Sequence, residues 1–150
     1  MRLPSALAKI VEDFSLCERQ EKLELLLDYA GRLLPIPAGL TADFGQPEAV
    51  PECMTPVSVY LQVAEGRLRF YFDVPAEAPT VRGYASIIQH GLWDSTPADI
   101  LNIPEDFYLA TGLHDVLTPQ RLNGLLAIMA HVKRLAVKNL IPQRSDALPE

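Results

Sequence analysis

The first part of the chain repeats apolar residues at the three- and four-residue spacing of an amphipathic helix. Ser5 is expected to cap the first helix, because its side chain can accept a hydrogen bond from a first-turn N–H. The predicted buried face of this helix is Leu7, Ile10, Val11 and Phe14. A second helix is predicted from about residue 18 to residue 34, with an apolar face of Leu23, Leu26, Leu27 and Ala30. Pro35 and Pro37 end it, because proline lacks the N–H that continues a helix.

Residues 35–56 form a long connection that is rich in proline and glycine. A short extended piece around residues 49–51 is weakly indicated within it. Connections of this length in compact domains are usually functional or disordered. This one contains Cys53, so it is a candidate functional segment.

From residue 57 the period changes to two, the spacing of a half-buried strand. Apolar residues at 57, 59, 61 and 63 alternate with more polar ones, and the alternation resumes at 68, 70 and 72. Glu65 and Gly66 lie between the two runs and predict a hairpin turn. A third strand from the preceding connection would complete a small meander. Because an isolated hairpin is only marginally stable, the sheet is expected to pack against the helices.

Proline and threonine mark the starts of the later helices. Pro79 suits the first turn of a third helix, and Thr96 is expected to cap a short helix reaching about residue 103. Another helical piece is predicted within residues 104–112, and Thr118-Pro119 begins the last long helix.

The apolar face of the third helix is Val81, Tyr84, Ala85, Ile88 and Leu92. That of the last helix is Leu122, Leu125, Met129, Val132 and Ala136. From Pro142 the tail is polar and is expected to fray.

Helices, then strands, then helices predict an α+β fold, with a small antiparallel sheet of about three strands covered on one face by helices. The 150 residues are enough for one domain with its own core, and the sequence contains no internal repeat or interdomain linker. We therefore expect a single domain over residues 1–150.

Composition narrows the function classes. The chain is 49% hydrophobic and 21% charged, as in ordinary globular proteins. Its formal net charge of −6 argues against nucleic-acid binding, which needs clustered lysine and arginine. No apolar run approaches the ~20 residues that span a bilayer, so no membrane association is expected. The N-terminus lacks the pattern of a signal peptide, and two cysteines are too few for a secreted disulfide framework, which favours a reducing cytoplasm.

The two cysteines differ in their sequence setting. Cys17 follows Phe14 by three residues and extends the apolar face of the first helix. Because a buried cysteine behaves as a small hydrophobic residue, Cys17 is interpreted as a core or helix-end residue.

Cys53 lies in the proline-flanked segment between Pro51 and Pro56, directly before a predicted strand. Functional side chains favour loops held by a rigid scaffold, although a buried cysteine that only packs the loop is an equally simple interpretation. The adjacent carboxylate of Glu52 disfavours a thiolate. A reactive Cys53 therefore needs a helix N-terminus or a cation brought close by the fold.

Several segments, taken together in order and spacing, carry a family resemblance. They are residues 26–30 (LLDYA), 33–35 (LLP), 50–60, 81–84 (VRGY), 113–117 and 118–125 (TPQRLNGL). Over roughly residues 5–138 the chain resembles the SufE-like sulfur acceptors. It departs from them at one point: the family usually has Gly-Cys-x-Ser before the strand, and this chain has Glu52-Cys53-Met54-Thr55-Pro56. Loss of the glycine makes the loop less permissive of positive φ.

The resemblance implies a SufE/IscU-like fold in which Cys53 accepts sulfur as a persulfide. It implies that the sulfur comes from a cysteine desulfurase (SufS-like), which the chain stimulates, and goes to an iron–sulfur scaffold (SufB-like). Pyridoxal phosphate would belong to the desulfurase, so no bound cofactor is expected in this chain. Arg121 matches the family's arginine near the start of the last helix, where it would stabilise a thiolate or hold the cysteine loop. Without the resemblance, Arg121 is simply an exposed first-turn residue. Formation of a homodimer stays open.

Three alternatives remain at this point. A cysteine hydrolase would pair Cys53 with His114 as its base. A zinc site could draw on the cysteines and histidines, but these are widely separated: Cys17, Cys53, His90, His114 and His131. The third alternative is a non-catalytic interaction domain with the same fold.

Overall fold

The structure is a computed structural model that describes residues 3–38, 48–51, 53 and 55–146. Within these residues, two helices precede a small sheet and further helices follow it. The helices are α1 (Ser5–Ser15), α2 (Arg19–Ala30), α3 (Pro79–Gly91), α4 (Pro97–Leu101), α5 (Tyr108–Thr111) and α6 (Pro119–Asp146), with a 3₁₀ helix at Leu113–Asp115. The strands are β1 (Glu48–Ala49), β2 (Ser58–Ala64) and β3 (Arg67–Asp73). The predicted α+β class is confirmed.

The sheet is antiparallel with the order β1-β2-β3, as the predicted meander requires. Val59 lies opposite Phe72 across the main hairpin. Glu65 and Gly66 form its turn with φ values of 54° and 78°. Two consecutive residues with positive φ match the twist of the flanking strands, so the predicted hairpin turn is confirmed.

The predicted alternation holds for β3 and fades toward the end of β2. Leu68, Phe70 and Phe72 are buried, whereas Val63 at the end of the hairpin is 38% exposed. On the opposite face, Tyr71 is also buried because Trp93 packs edge-on against it, with ring centroids 5.6 Å apart. The helices therefore cover the face formed by Leu68, Phe70 and Phe72.

Helix α3 is the centre of the fold, because almost all of its length is buried against other elements. At Gly83, α3 packs directly against α2. A Cβ at this position would lie 2.5 Å from the carbonyl oxygen of Leu26. Gln89, on the same helix and fully buried, satisfies both of its polar ends. Its Nε2 donates to the Phe70 carbonyl at 3.0 Å, and its Oε1 accepts from the Leu34 N–H at 2.8 Å.

The second helix is shorter than predicted. It ends at Ala30, not near residue 34, because the Leu34 N–H is used by Gln89 and the following prolines restrict the backbone. Its predicted apolar face is also partly wrong: Leu27 is 49% exposed, while Tyr29 is buried against Phe14 with ring centroids 5.9 Å apart.

Two of the three predicted threonine or serine caps are confirmed. The Asp99 N–H donates to Thr96 Oγ1 and the Arg121 N–H donates to Thr118 Oγ1, each at 3.2 Å. Ser5 is instead the first residue of α1, Pro4 precedes it, and no side chain caps this helix.

The last helix continues through Pro142 to Asp146, so the predicted fraying from Pro142 is wrong for the backbone up to that residue. None of the helices within the described residues is long and apolar enough to cross a membrane.

Replacement of Gly83 by alanine tests the close contact between α2 and α3. The new methyl group would overlap the Leu26 carbonyl, and overpacking of this kind destabilises by about 1–3 kcal/mol. Gly31→Ala is the matched control, because its Cβ would lie 3.5 Å from the nearest atom, an ordinary contact. Urea unfolding should show a loss of stability for Gly83→Ala and little change for Gly31→Ala. Equal stability of the two variants would contradict the contact.

Candidate functional site around Cys53

Cys53 lies in a tight turn between β1 and β2. The Val50 N–H donates to the Val57 carbonyl at 2.9 Å and closes the ends of the loop. The Cys53 N–H donates to the Val50 carbonyl at 3.3 Å. Only 9% of Cys53 is exposed, so the closed loop turns the thiol toward the protein interior. Glu52 and Met54 lie outside the described residues, and with them the predicted effect of the Glu52 carboxylate.

Gly124, in α6, leaves the space into which the thiol fits. A Cβ at this position would lie 2.5 Å from the Tyr84 hydroxyl oxygen and 3.3 Å from Cys53 Sγ. The Cys53 thiol donates to the Gly124 carbonyl with a sulfur–oxygen distance of 3.7 Å. Any side chain at Gly124 would displace Tyr84 and press on the sulfur, so the site requires glycine here.

Tyr84 brings a polar group to the sulfur from the buried face of α3. The residue is 1% exposed, and its hydroxyl lies beside the Cys53 sulfur at the space left by Gly124. Burial raises the pKa of Tyr84 far above its ordinary value, and the charge and hydrogen bond of Cys53 raise it further, while Arg121 lowers it. The phenol therefore keeps its proton at any physiological pH, so its hydroxyl can act as a hydrogen-bond donor.

A cavity of about 90 Å³ adjoins the thiol. Its lining is Cys53, Val81, Tyr84, Gln120, Arg121 and Gly124. The two residues singled out from the sequence, Cys53 and Arg121, are therefore brought to one cavity. Arg121 is exposed in the first turn of α6, and its positive charge lowers the pKa of Tyr84. The fold thus places an arginine and the first turns of α6 at the cavity that Cys53 borders.

Tyr84 and Gly124 were not predicted as site residues, although both fall in segments that carry the family resemblance. Tyr84 was assigned to the apolar face of its helix. Two signals could have indicated more: a buried tyrosine hydroxyl needs a partner, and a glycine inside a helix often marks a close approach. Neither signal names the partner, which comes from another part of the chain.

Cys17 lies apart from this cavity. It follows the end of α1, is partly exposed, and donates from Sγ to the Asp13 carbonyl at 3.3 Å. The helix-end interpretation of Cys17 agrees with this position. Both cysteines lie within the described residues, and they form no disulfide.

The histidines of the alternative sites lie elsewhere. His114 is exposed, with Nε2 3.6 Å from an Asp115 oxygen, and is not among the residues that line the Cys53 cavity. The nucleophile–base pair of a cysteine hydrolase is therefore not formed. His90 binds the Arg32 carbonyl at 2.8 Å, and His131 lies beside Arg134. Within the part of the chain that the structure describes, no group of three or more potential metal ligands occurs.

Comparison with known proteins identifies the family. The model of the SufE family, described as the Fe–S metabolism associated domain, matches residues 8–136. A SufE-like protein of Mycobacterium tuberculosis is 44% identical over 133 residues, which cover 88% of this chain and 92% of that protein. A SufE-like protein of Synechocystis is 32% identical over 138 residues, covering 90% of this chain and 82% of its own.

A solved structure agrees with these relatives. The solution structure of a hypothetical protein from Thermus thermophilus superposes with a TM-score of 0.82 at 35% identity and covers 93% of this chain and 98% of its own. The family match spans nearly the same residues as the resemblance found in the sequence. The chain belongs to the SufE family.

Proposed function

We propose that Cys53 accepts sulfur as a persulfide from a pyridoxal-phosphate-dependent cysteine desulfurase, that the chain stimulates this enzyme, and that it delivers the sulfur to iron–sulfur cluster assembly. The SufE family acts in iron–sulfur metabolism together with cysteine desulfurases. The observation that supports a persulfide on Cys53 is the surroundings of this residue. Its sulfur borders a small cavity between α3 and α6 that also holds a tyrosine hydroxyl and an arginine.

The transfer is a thiol exchange without net oxidation or reduction. The Cys53 thiol loses its proton to water, and the thiolate attacks the outer sulfur of a persulfide on the desulfurase. The bond between the two sulfurs of that persulfide breaks, and the enzyme's cysteine leaves as a thiolate that takes up a proton. Cys53 then carries the persulfide, a reversible thiol cap.

Two features of the geometry support this exchange: a cation near the sulfur and space beside it. The rate depends on the fraction of thiolate and on access to the sulfur. Arg121 provides positive charge at the rim of the cavity, where it would favour the thiolate or hold the loop. The cavity of about 90 Å³ offers room beside Sγ for an added sulfur atom.

The same proposal includes a cofactor in the partner enzyme, a scaffold that receives the sulfur, and a cellular compartment. Pyridoxal phosphate acts in the desulfurase, so the carrier itself needs no bound cofactor for the exchange. We expect a SufB-like scaffold as the acceptor downstream. A reduced Cys53 requires a reducing compartment, for which the cytoplasm is our proposal.

A second candidate is a non-catalytic interaction domain that keeps the SufE fold. The burial of Cys53 favours it, because the residue is 9% exposed and its thiol is hydrogen-bonded to the Gly124 carbonyl, which limits access to the sulfur. The two candidates differ in one observable: only the carrier gains sulfur.

Intact mass spectrometry after incubation with a cysteine desulfurase and cysteine distinguishes them. The carrier should gain one sulfur atom, because the Cys53 thiolate displaces the enzyme's cysteine. The gain should be absent in Cys53→Ser and retained in Cys17→Ser, the matched control. Sulfur on Cys17 in place of Cys53 would refute the mechanism, and sulfur on neither residue would favour the interaction domain.

Arg121→Gln should slow persulfide formation on Cys53 by roughly two- to fivefold. The exposed cation contributes up to ~1 kcal/mol to the anionic sulfur, and the difference should shrink at high salt. Arg121→Lys, which keeps the charge, should lie between the wild type and Arg121→Gln. Arg19→Gln removes an exposed arginine that does not line the cavity and serves as the control. Initial rates that are equal for Arg121→Gln and Arg19→Gln would show that the guanidinium has no role in the exchange.

A further inference from the structure

The Tyr84 hydroxyl and the Cys53 sulfur converge on one point beside Gly124. Both atoms lie within 3.3 Å of the position that a Cβ of this glycine would occupy. Both side chains line the same cavity, of about 90 Å³. Tyr84 is 1% exposed, so its hydroxyl is a polar group in the core. Leucine or phenylalanine at this position would need no hydrogen-bond partner, whereas a buried tyrosine hydroxyl usually has one.

The two polar groups beside the sulfur, the Gly124 carbonyl and the Tyr84 hydroxyl, favour opposite protonation states. The Gly124 carbonyl accepts from the thiol at 3.7 Å and can only accept. When the thiol proton leaves, this oxygen faces a negative sulfur and no longer stabilises it. The tyrosine hydroxyl donates, and a hydrogen bond from a donor becomes stronger when its acceptor is charged.

We propose that the Tyr84 hydroxyl is the hydrogen-bond donor that stabilises the anionic sulfur of Cys53, first as the attacking thiolate and then as the anionic persulfide. The second part rests on the sulfur-transfer function proposed above. Tyr84 contacts the reacting sulfur and transfers no proton. Among the described residues lining the cavity, it is joined by one charged side chain, Arg121 from α6, which acts on the same sulfur from the exposed side.

The raised pKa of Tyr84 agrees with this role. The phenol stays protonated throughout the pH range in which a thiol ionises, so it remains a donor on both sides of that transition. Whenever Cys53 is a thiolate, the Tyr84 hydroxyl is therefore protonated and able to donate a hydrogen bond.

The test is the pH dependence of Cys53 alkylation by iodoacetamide in the Cys17→Ser background, with the full chain. Tyr84→Phe removes only the hydroxyl, and removal of a donor to the charged form raises a thiol pKa. The midpoint should move upward by about one pH unit, with about tenfold slower alkylation below it. The rate plateau above the midpoint reports access to the sulfur and separates access from ionisation.

Tyr71→Phe is the matched control, because Tyr71 is also buried but packs against Trp93 away from the cavity. Its midpoint should stay at the value of the Cys17→Ser parent. Replacement of all tyrosines by 3-fluorotyrosine, a stronger donor, should move the midpoint downward, and Tyr84→Phe should abolish this shift. The shift of the fluorinated chain with Tyr84 intact is measured without Tyr84→Phe, and no downward shift there would contradict the role of Tyr84.

An unchanged midpoint in Tyr84→Phe, or equal shifts in the two phenylalanine variants, would overturn the role of Tyr84. Alkylation requires no desulfurase, so this result is independent of whether the chain accepts sulfur. A midpoint that shifts as expected in a chain that gains no sulfur would support the hydrogen bond and refute the proposed carrier function.

Discussion

The close approach of α3 and α6 at Gly124 is the constraint on which the site depends. A helix that carries glycine in its interior loses stability relative to alanine, by roughly 1 kcal/mol. Here the missing side chain admits the Tyr84 hydroxyl from one side and the Cys53 sulfur from the other. The first turns of α6 thereby provide the carbonyl that holds the thiol, the space beside it and the arginine at the rim.

The rest of the fold keeps this contact in place. Gly83 seats α3 against α2, one residue before Tyr84, and the buried Gln89 ties the same helix to β3 and to the chain that follows α2. The hydrogen bond between Val50 and Val57 fixes the ends of the cysteine loop. The thiol thus belongs to a loop whose ends are joined beside the sheet, and it lies against Gly124 of α6 and near Tyr84 of α3. Burial disfavours a charge on this sulfur, and in our proposal the Tyr84 hydroxyl and Arg121 offset that penalty.

Local patterns predicted much of this architecture, and their failures have identifiable causes. The Glu65-Gly66 turn and the Thr96 and Thr118 caps follow from interactions within a few residues, and the buried face of β3 is visible as an alternation of apolar residues. The early end of α2 depends on Gln89, 55 residues beyond Leu34, which no local pattern contains. The loop made Cys53 a candidate without excluding a packing role, and the family resemblance implied the roles of both Cys53 and Arg121. The pairing of Tyr84 with Cys53 required the tertiary contact at Gly124.

The most direct test of this account is the rate of sulfur transfer to Gly124→Ala in a single turnover from a persulfide-loaded desulfurase. Alanine favours the helix, so the fold should survive, but its methyl group would displace the Tyr84 hydroxyl and press on the sulfur. Transfer to Cys53 should therefore be roughly ten- to a hundredfold slower than in the wild type, with Gly31→Ala unaffected. Transfer to Gly124→Ala at the wild-type rate would contradict the account.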